Sequence, residues 1–132
     1  MNLQILKDRK VLYVEDDVLI MQSFTPVLNK LFETVFTAQN GLEGLELFKN
    51  NQDVDFVITD VRMPKMDGLE MSKQIKEISP NTPCILTTAH EEYDYFLKAD
   101  EIGIYRYITK PLDIKDLISI LTDFIENKEK LN

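Results

Sequence analysis

The feature that most constrains the fold of this chain is the alternation of two kinds of apolar pattern. Four short apolar runs are rich in β-branched and aromatic residues, and each has the length of a buried strand: residues 11–14, 54–59, 84–87 and 104–108. A weaker fifth candidate covers residues 34–38. Between the runs, apolar residues recur every three or four positions, which is the spacing of an amphipathic helix.

Five helical patterns follow the five predicted strands. The last pattern is the clearest, because its apolar residues form one stripe with charge on the other side: Ile114, Leu117, Ile118, Leu121, Phe124 and Ile125. The first contains Pro26, which should kink or locally weaken that helix. Strands alternating with helices predict an α/β fold, with a parallel sheet covered on both faces and right-handed crossovers.

Length and charge limit the classes of protein to consider. The 132 residues fit one domain, and the net charge of −8 disfavours direct binding of nucleic acid. No apolar run reaches the roughly eighteen residues of a membrane span, and the first residues lack the pattern of a signal peptide. The lone cysteine, Cys84, lies in an apolar run, so we expect a buried thiol and, by elimination, a cytoplasmic protein.

Reactive side chains stand at the ends of four predicted strands, and in a sheet of this kind the ligand site lies beyond the carboxyl ends of the strands. They are Glu15, Asp16 and Asp17 after the first strand, Asp60 after the third, Thr88 after the fourth and Lys110 after the fifth. Each alone has an ordinary explanation as a helix cap, a turn residue or a solvated charge. Together they bring carboxylates, a hydroxyl and an ammonium to one edge of the sheet.

This combination of groups predicts a metal-assisted phosphoryl site with a carboxylate nucleophile. Crowded carboxylates repel one another unless a cation intervenes, and oxygen ligands near a phosphate favour Mg²⁺. A hydroxyl and an ammonium are the groups that the remaining oxygens of a phosphoryl group need.

In four motifs the chain resembles the receiver domains of bacterial two-component response regulators, including chemotaxis regulators: VLYVEDD, ITDVRMPKMDG, TTAH and YITKP. The resemblance covers about residues 8–126, and residues 127–132 form a polar tail or the start of a linker. It implies that residues 1–132 are a single receiver domain. The implied fold is flavodoxin-like (β/α)5, a doubly wound five-stranded parallel sheet with strand order 2-1-3-4-5.

The resemblance also implies a role for each residue of the site. Asp60 is the expected phosphoacceptor, and Thr88 and Lys110 are expected to hold phosphoryl oxygens. The expected Mg²⁺ ligands are Asp16 and Asp60 directly, Glu15 through water, and the backbone carbonyl of Arg62. Asp17 matches no functional position, and we expect it to start the first helix.

Further expectations concern the backbone and the switch. The resemblance implies a cis Lys110–Pro111 peptide bond and identifies Tyr107 as the aromatic residue that swings inward on activation. Gly68 should open the third helix after a tight turn over residues 64–67. We interpret His90, the only histidine, as a loop residue that tunes the rate of phosphate loss and not as a catalytic group.

The implied function is that of a phosphoacceptor switch, as opposed to a turnover enzyme. A phosphohistidine on a sensor histidine kinase or phosphotransfer protein would donate its phosphoryl group to Asp60. Phosphorylation would change the surface formed by the fourth helix, the fifth strand and the last helix, roughly residues 91–125. An unidentified output domain or protein would bind this surface. A phosphorylation-dependent dimer is compatible with this scheme.

Three alternatives stay open from the residues. A phosphohydrolase of the haloacid dehalogenase type also forms an aspartyl-phosphate, but it needs a second acid two residues on, where this chain has Arg62. A degenerate receiver would act only as an interaction module, and no functional position is missing to indicate one. The domain is either a stand-alone receiver or the front of a longer regulator or kinase, and the charged end ENKEKLN slightly favours the second.

Overall fold

A computed structural model of the chain describes residues 3–89 and 93–131, with backbone alone for 93–96 and 129–131. His90 lies outside the described residues, and Tyr93 and Tyr95 of the predicted output surface are described by their backbone only. Within these ranges the elements follow in the order α1 (Gln4–Lys7), β1 (Lys10–Val14), α2 (Val18–Leu31), β2 (Thr34–Ala38), α3 (Gly41–Asn50), β3 (Phe56–Asp60), α4 (Gly68–Ile78), β4 (Cys84–Thr88), α5 (Tyr93–Ile102), β5 (Arg106–Thr109) and α6 (Ile114–Leu131).

The five strands form one parallel sheet in the order β2-β1-β3-β4-β5. This confirms both the predicted fold class and the predicted strand order. Because every strand runs in the same direction, all the carboxyl ends lie at one edge of the sheet. The register aligns Val14 with Thr59 and Asp60 with Thr87, so the ends of β1, β3 and β4 are level with one another.

Apolar side chains cover both faces of the sheet. One face packs against α1, α2 and α6 through buried residues that include Tyr13, Leu28, Phe56 and Leu117. The other packs against α3 and α4, and a third cluster, which includes Leu86 and Ala99 of the described residues, lies beneath α5. Cys84 is fully buried, as predicted, and burial raises the pKa of its thiol to about 11.

Several details of the elements differ from the sequence-based expectation, and β3, like β5, begins two residues later than predicted. The helix α1 was not predicted, since four residues are too few to show a period, yet its Leu6 is fully buried. Pro26 does not interrupt α2, which is continuous from Val18 to Leu31 and packs its buried face on the core. The strand β5 begins two residues later than predicted, because the Ile104 N–H bonds to the Ala99 carbonyl at the end of α5.

Helices long and apolar enough to cross a bilayer do not occur in the part of the chain that the structure describes.

Candidate functional site

Three carboxylates meet at the carboxyl ends of β1 and β3. Glu15, Asp16 and Asp60 each offer one oxygen, and these oxygens lie within 4.8 Å of one another. Glu15 is buried, Asp60 is half-buried and Asp16 is exposed, so the cluster opens to solvent on one side. The two strands are direct neighbours in the sheet, which is why residues 45 positions apart in the chain converge.

Lys110 is the cation that faces this cluster. Its Nζ donates to Glu15 Oε1 at 2.8 Å and to Asp60 Oδ2 at 3.0 Å. The Lys110 backbone N–H donates to the Thr88 carbonyl at 2.7 Å, which fixes the end of β5 beside β4. The Lys110–Pro111 peptide bond is cis, as predicted.

Burial shapes the charge state of the pair formed by Glu15 and Lys110. Burial raises the pKa of the Glu15 carboxyl above its ordinary value, against the opposing effect of the hydrogen bond from Lys110. Burial alone would lower the pKa of Lys110, but the hydrogen bonds to Glu15 and Asp60 outweigh it and leave that pKa raised. Lys110 is therefore a cation at neutral pH.

The turn after β3 fixes the backbone around Asp60. The Val61 N–H donates to Asp60 Oδ1 at 2.8 Å, so the amide holds one carboxylate oxygen and Lys110 the other. The Gly68 N–H donates to the Val61 carbonyl at 2.7 Å, and a Cβ atom on Gly68 would lie 2.0 Å from the Asp60 carbonyl oxygen. The helix α4 begins at Gly68, as predicted, and the turn contains Lys65 at a φ of 69°.

The remaining predicted residues lie around this centre. Thr88 is half-buried at the end of β4, the strand between β3 and β5, and Arg62 follows Asp60 by two residues. Asp17 starts α2, as predicted, because its Oδ1 accepts from the backbone N–H groups of Leu19 and Ile20 at 3.0 and 3.2 Å. The Asp17 N–H also donates to Glu15 Oε2, at 3.2 Å.

The donor set fits a hard divalent cation. The three clustered side chains offer only carboxylate oxygens, which suit Mg²⁺ and not a metal that prefers nitrogen or sulfur. The side open to solvent leaves space for water, which Mg²⁺ usually keeps among its ligands. One lysine against three carboxylates also leaves the cluster negative, so a divalent cation would be attracted to it.

Two features of the site region were not predicted from the sequence. The Tyr107 hydroxyl donates to Asp100 Oδ1 on α5 at 2.6 Å, and this hydrogen bond raises the pKa of Tyr107 from 10.0 to about 12. The hydroxyls of Tyr13 and Thr87 are buried without a hydrogen-bond partner among the described residues. No motif indicates either feature, because each depends on packing between elements.

Comparison with known proteins gives a match along most of the chain. The family model described as "Response regulator receiver domain" matches residues 11–122. Sporulation initiation phosphotransferase F of Bacillus subtilis is 31% identical over 123 residues, covering 93% of this chain and 98% of that protein. Transcriptional regulatory protein GlrR of Escherichia coli is 33% identical over 120 residues, covering 91% of this chain. The chain spans only 27% of the length of GlrR.

A solved structure extends the match to three dimensions. The crystal structure of the CheX-CheY-BeF3-Mg²⁺ complex from Borrelia burgdorferi contains a chain with a TM-score of 0.82 and 27% sequence identity. The alignment covers 95% of this chain and 95% of that one.

Proposed function

This chain belongs to the response regulator receiver domain family, and from that membership we propose that it is a phosphoacceptor switch of a two-component system. Asp60 accepts a phosphoryl group from the phosphohistidine of a sensor histidine kinase or phosphotransfer protein. The observation that carries the proposal is the contact of Asp60 with Lys110 beside Glu15 and Asp16. Thr88 ends β4, the strand between β3 and β5, and we assign its hydroxyl to a phosphoryl oxygen.

The geometry suggests how the residues share the transfer. The P–N bond to the donor histidine breaks as an Asp60 oxygen forms a P–O bond, and the imidazole leaves. The Lys110 Nζ, which is hydrogen-bonded to Asp60, shifts its hydrogen bond to a phosphoryl oxygen as negative charge develops there. The Thr88 hydroxyl donates to another phosphoryl oxygen. Positioning and charge neutralisation are the main contributions of a protein to such a transfer.

We assign Mg²⁺ to the cluster of Glu15, Asp16 and Asp60, with the backbone carbonyl of Arg62 as a further ligand. When bound, the ion neutralises charge on the carboxylates and on the incoming phosphoryl oxygens. The donor set supports this assignment, as does the similarity to a chain whose structure contains BeF3 and Mg²⁺.

We infer that the output lies on α5, β5 and α6. Phosphorylation draws Thr88 toward Asp60, which opens space for the Tyr107 ring and changes the surface that a partner reads. The matched region is 27% of GlrR, which is named a transcriptional regulatory protein, but 98% of the sporulation phosphotransferase. Similar sequences therefore occur both as part of longer proteins and as nearly whole proteins.

The test begins with a small phosphodonor and Mg²⁺. We expect one acid-labile, hydroxylamine-sensitive phosphoryl group that maps to Asp60, and no uptake in Asp60→Asn or after chelation of Mg²⁺. Asp53→Asn is the matched control, since it makes the same change on an exposed carboxylate before β3, at the opposite end of that strand. Uptake by Asp60→Asn at the wild-type rate would refute the assignment, and no uptake by the wild type would favour the degenerate receiver.

A further inference from the structure

The hydrogen bond between Tyr107 and Asp100 joins β5 to α5. The Tyr107 hydroxyl donates to Asp100 Oδ1 at 2.6 Å, and this pair lies at the surface. The Tyr107 ring is half-buried against the small cluster that includes Leu86 and Ala99. Ala99, which precedes Asp100 on α5, is fully buried in the same cluster, so the residue beside Asp100 packs on the sheet together with the Tyr107 ring.

The sheet register places Tyr107 close to the proposed switch. Tyr107 pairs with Leu86 across β4 and β5, and Thr88 lies two residues beyond Leu86 on the same strand. Because side chains alternate along a strand, Leu86 and Thr88 face the same side of the sheet as Tyr107. A ring that turned from the surface toward the strand ends would therefore approach Thr88, and it would have to leave Asp100.

We propose that Asp100 is a positioning residue that holds Tyr107 at the surface and so sets the threshold of the switch. The inference rests on the proposed function, because it concerns the movement of Tyr107 that follows phosphorylation of Asp60. A ligand shifts a two-state equilibrium by its differential affinity for the two states. The bond to Asp100 exists only in the state with Tyr107 at the surface, so it opposes the phosphorylated state.

The chemistry of the bond supports this role. A hydrogen bond to a carboxylate is stronger than one to a neutral acceptor. The raised pKa of Tyr107, for which this hydrogen bond is the largest cause, indicates that the neutral phenol is stabilised where it stands.

The first part of the test examines the resting protein without phosphate or metal. Tyrosine labelled with carbon-13 at the ring Cζ reports the titration of each phenol by nuclear magnetic resonance, and Tyr107→Phe assigns the resonance. We expect the pKa of Tyr107 to be about 12 in the wild type and to fall toward its ordinary value of 10.0 in Asp100→Ala, where only the effect of burial is left. Glu101→Ala is the matched control, since it removes the neighbouring exposed carboxylate and should leave that pKa unchanged.

The second part measures the affinity for beryllofluoride with Mg²⁺, a mimic of the phosphoryl group. We expect Asp100→Ala to bind it roughly three- to tenfold more tightly than the wild type, as loss of a surface charge-assisted hydrogen bond implies. Glu101→Ala corrects for the general effect of removing negative charge. In a Tyr107→Phe background, which lacks the donor hydroxyl, Asp100→Ala should have no effect beyond that of Glu101→Ala.

The outcomes separate this inference from the function on which it rests. If Asp100→Ala tightens binding no more than Glu101→Ala, or tightens it equally in the Tyr107→Phe background, Asp100 does not set the threshold. An unchanged Tyr107 titration in Asp100→Ala would overturn the proposal at its first step. Failure of the proposed function is visible in the wild type itself, which would then bind no beryllofluoride and end both proposals together.

Discussion

At the level of single residues, the resting site depends on one cation shared between two acids. Lys110 bonds to Glu15, which is 1% exposed, and to Asp60, which is 15% exposed. A buried carboxylate without a partner would be costly, so Lys110 stabilises the fold through its bond to Glu15. The same Nζ atom lies beside Asp60, where the proposed function needs a cation to bond a phosphoryl oxygen.

Gly68 lies directly against the backbone of Asp60, the proposed phosphoacceptor. A Cβ atom at this position would lie 2.0 Å from the Asp60 carbonyl oxygen, so Gly68→Ala must displace backbone. We expect it to lower the free energy of unfolding by about 3 kcal/mol, at the upper end of typical overpacking costs. Urea denaturation measures this loss, and the rate of phosphorylation should fall as well because Asp60 moves.

Gly103→Ala is the control for the Gly68 prediction. Gly103 has a φ of 90°, but the nearest atom to an added Cβ is 3.8 Å away at the flexible end of Lys76. This change should cost roughly 1–2 kcal/mol through backbone strain alone and leave phosphorylation unchanged. Equal losses of activity in the two variants would contradict a specific role for the contact of Gly68 with Asp60.

The sequence predicted the residues of the site better than their partners. The positions of Glu15, Asp60 and Lys110 follow from strand ends and motif resemblance. Their pairing joins residues up to 95 positions apart, and only the strand order brings them into contact. The bond of Tyr107 to Asp100 was not predictable, because it depends on how α5 packs on the sheet and no motif contains it.

At the level of elements, the two acids before α2, Asp16 and Asp17, have different roles. Asp17 caps the helix through bonds to Leu19 and Ile20, while Asp16 belongs to the carboxylate cluster. We expect Asp17→Ala to lower the free energy of unfolding by about 1 kcal/mol, the usual value of a helix cap. Calorimetric titration should show that it still binds Mg²⁺, because its backbone N–H continues to orient Glu15.

Asp16→Ala should have the opposite effects, with loss of Mg²⁺ affinity and little loss of stability. It removes a proposed Mg²⁺ ligand but no cap, so it should lose Mg²⁺ affinity while the free energy of unfolding in the absence of metal stays within about 0.5 kcal/mol of the wild type. If both variants lost Mg²⁺ binding to the same extent, the division of tasks between the two residues would be wrong.

The elements themselves were largely predictable from the sequence, and the exceptions have physical causes. The central strands β1, β3 and β4 showed clearly as short apolar runs, because a strand buried on both faces needs apolar residues at every position. The edge strand β2 is only partly buried, which is why its pattern was weaker. The turn α1 is too short to show a period, and α2 passes through Pro26 because packing of Leu28 and Leu31 stabilises the helix more than one lost hydrogen bond weakens it. Such tertiary effects are not visible in a local pattern.

At the level of the whole molecule, the two faces of the sheet differ in their relation to the proposed switch. The face that carries α1, α2 and α6 holds the largest apolar cluster and Tyr13. On the opposite face, the described residues beneath α5 include Leu86, Ala99 and the half-buried ring of Tyr107, which pack together. The proposed movement of the Tyr107 ring would therefore disturb contacts beneath α5, on the face of the sheet opposite α2 and α6.

The last prediction joins the chemistry of the site to this region. Binding of beryllofluoride with Mg²⁺ should change amide hydrogen exchange mainly in residues 93–125. Thr88→Ala should still accept a phosphoryl group on Asp60 but show a smaller exchange response, because the hydroxyl that moves toward the phosphoryl group is absent. Thr88→Ser, which keeps that hydroxyl, should restore most of the response.

Thr87→Val is the control on the same strand. Thr87 packs beside Ile108 on the other face of the sheet, and its buried hydroxyl has no partner among the described residues, so its removal should leave the exchange response unchanged. Changes confined to α2 and α3, or an undiminished response in Thr88→Ala, would refute the coupling through Thr88. The assignment of Asp60 as phosphoacceptor would survive either result, because phosphorylation of Asp60 is measured separately. A loss of response in Thr87→Val equal to that in Thr88→Ala would instead mean that β4 transmits the signal as a unit, without a specific role for the Thr88 hydroxyl.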